Sequence, residues 1–555
     1  MKATRRLNLL AASSLALGAA TCALVSGCSP SSPPTMTAKP PMLPPPNPYL
    51  MAGSFYPQTH WNSANSDVTP LPAWLGDHVV GKDQVQWIPG MPALGSAHYP
   101  YPGGEQAMFV SGANRVGKIR ITGGAFELIN QVIIPGSKTP PASEAEIRQL
   151  VAEIEAAGGD EARFLPQFQS YLKRHEISTK TVTNGTYTAL DKDGNYYAGW
   201  GTTMYKIADE RSGDVRSPLK IVKSFDLRAG LKPEEAKKIS RMTGFTITYD
   251  GHLVVAMSGI VAVLDRALDT MQYQILEDEA IDNGVSTDPE GGIYVVTSKY
   301  MRKLVWNGTR LSADETDGAW KEPYDIVPNP KALSRGAGNT PTLMGFGKDA
   351  DRLVIIADAG NPVKIVAFWR DKIPEGFPQV KGTSSRRIAA QLPIRFNPPA
   401  TIEFSPHVYG YGVMMFASAF TDPVMTDGAF DYFGTLYTSG VSRAAPRGSE
   451  KWTWHPESHT LTSDWLTDVP MQPVLYPVSA ASNTVGLCGL EDGVYSLVFI
   501  DWDTGRQVGK TTLGTNPIFN GAGAFFIPMD NGDVFVGGGF GQTRITKQVD
   551  RGAQR

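Results

Sequence analysis

The stretch NGVSTDPEGGIYVV, residues 283–296, contains the phrase that decides the fold. A polar pair, Asn283-Gly284, leads into a short strand, and an Asp/Gly-rich turn then leads into a run of β-branched and aromatic residues. Turn residues between two such runs are typical of a β-hairpin. The stretch therefore predicts one hairpin of a sheet, with a polar residue at the start of its first strand.

The same phrase recurs along the chain. It begins again at Asn184, Asn339, Asn483 and Asn520, and looser versions begin near Tyr99, Thr243 and Thr401. Small meanders that cannot bury their own faces and that repeat in this way indicate radial stacking. The repeat predicts an all-β fold, a β-propeller with seven or eight blades, of which eight is favoured. The alternative is an array of β-sandwiches.

Two further segments refine this architecture. The final unit, residues 520–546, is short, so the strand Val85–Ile88 is expected to complete its blade and join the ends of the chain. Residues 143–176 instead show apolar residues at helical spacing after Ser143-Glu144-Ala145-Glu146, which resembles a capping box. They predict a helical insertion that caps one end of the β body.

Composition limits the possible functions. The chain has 555 residues, 41% of them hydrophobic, and a net charge of −3. A charge so close to balance offers no electrostatic basis for binding nucleic acid. Gly 57 and Pro 42 agree with many short strands joined by turns. We expect one large propeller domain over residues 49–555.

The N-terminus predicts export. Residues 1–27 have a basic start and an apolar run, as in a secretory signal peptide, and residues 24–28, LVSGC, resemble the lipobox of bacterial lipoproteins. Cys28 would then be lipidated, with residues 28–48 as a Pro-rich tether to a bacterial membrane at the cell envelope. An ordinary signal peptide and an uncleaved anchor are the alternatives. Cys488 lies in an apolar strand pattern and is expected to be a buried structural thiol.

In a propeller the innermost strand of each blade lines a central channel. If the phrase marks that strand, its polar residues ring one mouth: Asn184, Thr243, Asn283, Asn339, Asn483 and Asn520. Amide and hydroxyl oxygens are ligands for Ca²⁺ or Mg²⁺ and partners for a polar substrate. The alternative is that each Asn only starts its strand by bonding nearby backbone.

One part of the chain resembles a known family. Asn339-Thr-Pro-Thr, followed by DRLVIIADAGN at residues 351–361, is similar to the blade phrase of gluconolactonase/regucalcin and strictosidine-synthase-like propellers. The phrase at residues 283–297 resembles it too. The resemblance covers about two blades. It implies that Asn283, Asn339 and Asp358 help to hold a divalent metal in the channel.

Two functions follow from these patterns. The first is a metal-assisted hydrolase of the lactonase or esterase type, in which one Ca²⁺ or other divalent cation activates a small-molecule substrate and Asp358 acts as a catalytic residue. The second is a non-catalytic propeller that binds a protein, peptide or glycan partner in the envelope. The chain lacks a counterpart of the family's first-blade Glu, which favours binding, whereas the Asn/Asp phrase favours the metal.

Overall fold

The structure is a computed structural model. The described residues are 43–137, 140–178, 181, 184–329, 332–347, 350–396 and 402–547. The predicted signal peptide, Cys28 and most of the predicted tether lie outside them. Within these ranges no helix is both long and apolar enough to cross a membrane.

The chain folds as a β-propeller of small antiparallel meanders, which we number as units in chain order. Most of them have four strands, and the first strand of a unit usually lies beside the first strand of its neighbour. We call these first strands the inner strands. Units one to three comprise Gly95–Pro100, Gln106–Gly112, Arg115–Arg120 and Glu127–Ile133; Thr188–Leu190, Tyr196–Trp200, Thr203–Asp209 and Leu219–Asp226; and Met242–Ile247, Leu253–Met257, Ile260–Leu264 and Met271–Ile275.

Units four and five continue this pattern. Unit four has two short outer strands that both pair with its third strand. The strands are Ser286–Thr287, Gly292–Val296, Tyr300–Trp306, Leu311–Ser312 and Trp320–Pro323 in unit four, and Thr342–Met344, Leu353–Ala357, Lys364–Trp369 and Ile388–Pro393 in unit five.

Units six and seven share one long strand, Thr460–Ser479. Its first half pairs with Arg447–His455 as far as Pro470, and from Met471 onward it pairs with Thr484–Glu491. It is thus the outer strand of unit six and the inner strand of unit seven. The other strands are His407–Tyr409 and Gly412–Phe416 in unit six, and Val494–Asp501 and Gln507–Gly514 in unit seven. The sequence predicted the inner strand of unit six at residues 401–404, whereas the structure has this strand at His407–Tyr409. Thr401 lies outside the described residues.

Unit eight closes the chain on itself. Its strands Phe526–Pro528, Val534–Gly538 and Gly541–Ile545 are completed by Val85–Pro89, which pairs from Val85 opposite Ile545 to Pro89 opposite Gly541. The predicted closing strand is confirmed. The described residues form eight units when the strand Thr460–Ser479 is counted in both unit six and unit seven. The number of blades in the propeller stays a prediction.

The remaining elements are short or lie outside the units. Four further strands of the described residues are Val68–Thr69 and Gly76–Val79, which each pair in parallel with a strand of unit seven, and Met425–Thr426 and Ala429–Phe430, which form a hairpin. The helices are α1 Glu144–Ala157, α2 Glu161–Arg174, α3 Pro233–Ala236 and α4 Tyr432–Thr438, with 3-10 turns at Lys82–Gln84, Pro102–Gly104, Thr122–Gly124, Leu227–Gly230, Glu315–Asp317 and Pro517–Phe519.

The predicted helical insertion at 143–176 consists of α1 and α2. Ser143 Oγ accepts a hydrogen bond of 3.1 Å from the Glu146 amide and so caps α1. On α2 the ring of Phe168 packs against Tyr437 of α4 at 4.9 Å and against Phe540 of unit eight at 6.0 Å between centroids. The insertion therefore covers the β body, as expected.

A central segment, residues 47–69, fills the middle of the ring. From Tyr56 to Asp67, its backbone and side chains bond to the inner strands of units one to seven in chain order. Tyr56 O accepts from His98 N at 2.8 Å, Pro57 O from Leu190 N at 2.8 Å, Ser63 O from Thr287 N at 2.8 Å, Ala64 O from Leu343 N at 3.1 Å, Ser66 O from Val408 N at 3.0 Å and Asp67 O from Val478 N at 2.8 Å. Ser63 Oγ donates to Ile247 O of unit three at 2.8 Å.

The backbone conformation of the central segment has an energetic cost. His60, Trp61, Asn65 and Asp67 all have positive φ, between 52° and 65°. Each such non-glycine residue costs on the order of 1–3 kcal/mol and persists only where its surroundings hold it. The bonds to the surrounding strands hold this segment.

We expect Ser63→Ala to destabilise the propeller. The hydroxyl of Ser63 donates to Ile247 O and accepts from Asn47 Nδ2 at 2.9 Å, and both bonds are buried. Losing them should lower the free energy of unfolding by about 1–3 kcal/mol, measured by urea denaturation. Ser458→Ala, which removes an exposed hydroxyl, is the control and should change it by less than about 0.5 kcal/mol. Equal effects of the two variants would contradict a stabilising role for the central segment.

Candidate functional site

A cavity of about 380 Å³ opens at the end of the ring where inner strands begin. The central segment contributes its Thr59 and His60. Segments that precede inner strands contribute most of the others, including Tyr187, Asn283 and Ser405. Because each of these segments enters the ring at the same end, residues far apart in sequence meet there.

Two lining residues of the cavity, His60 and Ser405, form a relay of hydrogen bonds with the neighbouring Asp67. Asp67 is buried, and its two carboxylate oxygens lie 2.9 and 3.1 Å from Nδ1 of His60. On the other side of the imidazole, Nε2 lies 3.5 Å from Oγ of Ser405. Where Asp67 is ionised it can only accept, so that Nδ1 of His60 is the donor of this pair; in the neutral imidazole the lone pair is then on Nε2, on the side of the Ser405 hydroxyl.

Local structure holds each member of the relay. Asp67 O is bonded to Val478 N, and the ring of Phe525 meets the imidazole of His60 edge-on at 5.2 Å between centroids. Ser405 precedes Pro406, which restricts its backbone to extended conformations. The sequence does not predict this relay, because no spacing links residues 345 positions apart. The run of polar residues from Gln58 to Asp67 ahead of the first unit was the available signal.

Glu403 also lines the cavity. Its carboxylate accepts from the Leu333 amide at 3.0 Å and from Ser334 Oγ at 2.7 Å. Burial raises the pKa of Glu403 to about 7, against the opposing effect of these hydrogen bonds. The carboxyl group is therefore largely protonated below neutral pH, and the wall beside Ser405 is uncharged there.

Of the three predicted metal ligands, Asn283 lines this cavity. Its Oδ1 already accepts from the Tyr187 hydroxyl, from Thr340 Oγ1 at 3.0 Å and from the Gly284 amide at 2.8 Å. Its Nδ2 donates to Gly338 O and Glu403 O. The amide thus ties neighbouring loops together, and its oxygen has no free lone pair for a cation.

Asn339 and Asp358 do not line the cavity. Asn339 exchanges two hydrogen bonds with Ala357, of 2.9 and 3.1 Å. Asp358 Oδ1 closes a turn by accepting from the Gly360 and Lys364 amides at 3.0 and 2.8 Å. Its Oδ2 is buried without a hydrogen bond, 4.0 Å from Lys364 Nζ, and burial raises the pKa of Asp358 to about 6.

The other members of the predicted polar ring occupy different positions relative to the inner strands. Asn184 and Asn520 precede inner strands and bond the Gly201 and Ala522 amides at 3.0 and 2.9 Å, whereas Thr243 lies within an inner strand and donates to Ala256 O. The prediction for Asn483 was wrong. It lies in the turn after the inner strand of unit seven, where it donates to Asp503 at 2.7 Å, because the shared long strand shifts the pairing.

The structure also places the predicted structural cysteine. Cys488 is buried in its strand, and burial raises the pKa of its thiol well above the usual range, as expected of a structural cysteine. Within the described part of the chain, no three His, Cys, Asp or Glu side chains are grouped as metal ligands would be.

Comparisons with known proteins concern the fold. No family model matches the chain. An uncharacterized protein of Archaeoglobus fulgidus is 29% identical over an alignment of 317 residues that covers 55% of this chain. The chain spans 60% of the length of that relative.

Several solved structures are similar in architecture. They include the quinohemoprotein alcohol dehydrogenase of Comamonas testosteroni, with a TM-score of 0.47 and 12% identity over 90% of this chain and 82% of that one. A europium-containing methanol dehydrogenase has a TM-score of 0.44 and 10% identity, covering 87% and 89%. The Cps50 (Swd1) β-propeller domain of Myceliophteria thermophila has a TM-score of 0.34 and 9% identity, covering 64% and 94%.

The pKa of Glu403 predicts a pH dependence of stability. The folded chain keeps this proton up to about pH 7, while the unfolded chain loses it near the usual 4.5. Between these values the free energy of unfolding should therefore fall as pH rises, by up to about 1.4 kcal/mol per pH unit for one proton. In Glu403→Gln this contribution disappears, whereas those of Asp358 and Asp209, whose pKa values burial also raises, remain in that direction. Urea denaturation at pH 4.5–7.5 measures the slope, and an unchanged slope in the variant would refute the assignment.

Proposed function

We propose that this protein is a hydrolase of carboxylic esters or lactones in which Ser405 is the nucleophile. The observation that carries the proposal is the Ser405–His60–Asp67 relay, of which Ser405 and His60 line the cavity. A hydroxyl, a general base within reach and a carboxylate that orients the base are the parts that activate a serine. The contact of 3.5 Å between Ser405 and His60 is long, and catalytic hydrogen bonds commonly tighten when substrate binds.

The first half of the reaction would form an acyl-enzyme. Ser405 Oγ adds to the ester carbonyl carbon as its proton passes to Nε2 of His60. The tetrahedral adduct then expels the alkoxide oxygen, which takes that proton and leaves as the alcohol. Asp67 stays ionised throughout and stabilises the positive charge on His60 through the Nδ1–H bond.

The second half would release the acid. A water molecule takes the place of the alcohol, gives its proton to Nε2 of His60 and adds to the acyl carbon. Collapse of this adduct breaks the bond to Ser405 Oγ, which recovers the proton from His60. With a lactone the alcohol and acid remain parts of one molecule, and the product is a hydroxy acid.

The walls of the cavity suit this chemistry. Tyr432 and Arg241 line the cavity and carry O–H and N–H donors that can face a developing oxyanion. Phe404, Phe430 and Phe525 also line it. Apolar walls exclude water and strengthen the electrostatic contacts of the relay.

The relay distinguishes this mechanism from the two functions suggested by the sequence. A non-catalytic binding propeller has no need of a buried His–Asp pair aimed at a serine. A metal-assisted hydrolase would depend on a cation held by Asn283, Asn339 and Asp358, whereas serine catalysis is independent of one. Chelation therefore separates the two hydrolytic mechanisms.

We expect Ser405→Ala to abolish ester hydrolysis, and His60→Gln and Asp67→Asn to reduce it strongly. Each change should lower kcat/KM by at least about 10³-fold, because the relay acts as a unit and the double variants should lose little more. Hydrolysis of p-nitrophenyl esters and of γ- and δ-lactones gives the rates. A fluorophosphonate should label the wild-type protein at Ser405, as located by peptide mass spectrometry.

The matched control is Ser334→Ala, which removes another serine hydroxyl from the same cavity. It should keep the labelling at Ser405 and most of the activity. EDTA should leave the activity unchanged. Activity that survives in Ser405→Ala would overturn the serine mechanism, and if EDTA abolishes it, the metal-assisted alternative takes its place.

We also propose that the protein is exported and lipid-anchored at Cys28, on the strength of the lipobox-like run at residues 24–28. In a bacterial host that processes lipoproteins, the protein should partition into detergent-extracted membranes and incorporate labelled palmitate. Cys28→Ser should lose both properties and keep the ester hydrolase activity, since the change lies outside the propeller. Equal palmitate incorporation by the variant would refute the anchor.

A further inference from the structure

A smaller chamber of about 90 Å³ adjoins the cavity. The two spaces share part of their lining, including Leu333, Glu403, Phe404 and Tyr432. Phe404 immediately precedes Ser405 in the chain. The side chamber therefore begins beside the nucleophile, in reach of a group attached to the carbonyl carbon under attack.

The lining of the side chamber is largely apolar. Beyond the shared residues it is formed by Ala419, Phe420 and Pro473, with Ser418 and Asn329 as polar members. The Ser418 hydroxyl is engaged with the Glu403 amide at 3.0 Å. The Glu403 carboxyl group is held by Leu333 and Ser334. The polar groups are thus bonded within the protein, and the space suits a hydrocarbon chain.

The volume limits the length of that chain. An apolar cavity of about 150 Å³ holds one benzene molecule. The side chamber, at about 90 Å³, is smaller than this and has room for a short aliphatic group and not for an aromatic ring. The main cavity, at about 380 Å³, exceeds the same standard more than twofold and takes the larger part of a substrate.

We propose that the side chamber is the acyl-binding site of the hydrolase and selects esters of short aliphatic acids, with butyrate as the reference length. This inference rests on the proposed function. The alcohol must leave and water must enter while the acyl group is still bonded to Ser405. The alcohol therefore belongs in the larger cavity at the mouth of the ring, and the acyl group belongs in the side chamber.

The test compares p-nitrophenyl acetate, butyrate, octanoate and benzoate as substrates of the full chain. We expect kcat/KM to be highest for butyrate and at least about tenfold lower for octanoate and benzoate, because a pocket discriminates by roughly this factor when a chain is too large. Ala419→Leu adds bulk to the side chamber alone. It should reverse the preference, so that acetate exceeds butyrate by about tenfold.

Thr186→Leu is the control, since Thr186 lines the main cavity and not the side chamber. It should leave the ratio of butyrate to acetate unchanged. Hydrolysis that favours octanoate or benzoate, or a ratio unaffected by Ala419→Leu, would overturn the side-chamber assignment and leave the proposed function standing. If no ester is hydrolysed and fluorophosphonate does not label Ser405, the proposed function fails and the assignment fails with it.

Discussion

The hydrogen bonds between the central segment and the inner strands are the constraint on which the rest of this structure depends. A ring of meanders leaves unpaired backbone groups along its axis, and buried groups of this kind must find partners. The segment supplies them in chain order, from Tyr56 at unit one to Asp67 at unit seven. Farther along the chain, Val85–Pro89 closes unit eight. The N-terminal part of the domain thus fills the ring at its centre and joins it at its edge.

The same segment carries two of the three members of the relay. His60 and Asp67 both adopt positive φ, which a free peptide would seldom populate. Their geometry is held by the strands around them, so that folding of the ring and assembly of the relay are one event. This coupling explains how Ser405, on a loop before unit six, meets His60 from the start of the domain. It also places the relay where apolar residues surround it.

The asparagines that attract attention in the sequence have a structural role in the folded chain. Asn339 and Asn520 bond the backbone near the starts of their inner strands. Asn283 does the same between loops while its side chain also faces the cavity. The alternative explanation for a single Asn, a strand that begins by bonding nearby backbone, describes most of them. An asparagine that recurs at the mouth of the ring therefore indicates where the inner strands begin more directly than it indicates a binding site.

The sequence by itself determined the local structure: the hairpin phrase, the closing strand Val85–Ile88, the helical insertion and the buried Cys488. All of these follow from short-range patterns of polarity, turn residues and helical spacing, which are legible in a few adjacent residues. Only the tertiary structure decided the pairing at Thr460–Ser479, which moved Asn483 away from the mouth, and the meeting of Ser405 with His60. The physical reason is that both depend on contacts between distant segments. No local pattern shows which backbone groups along the axis of the ring will bond to the central segment. The relay forms only once those hydrogen bonds have formed.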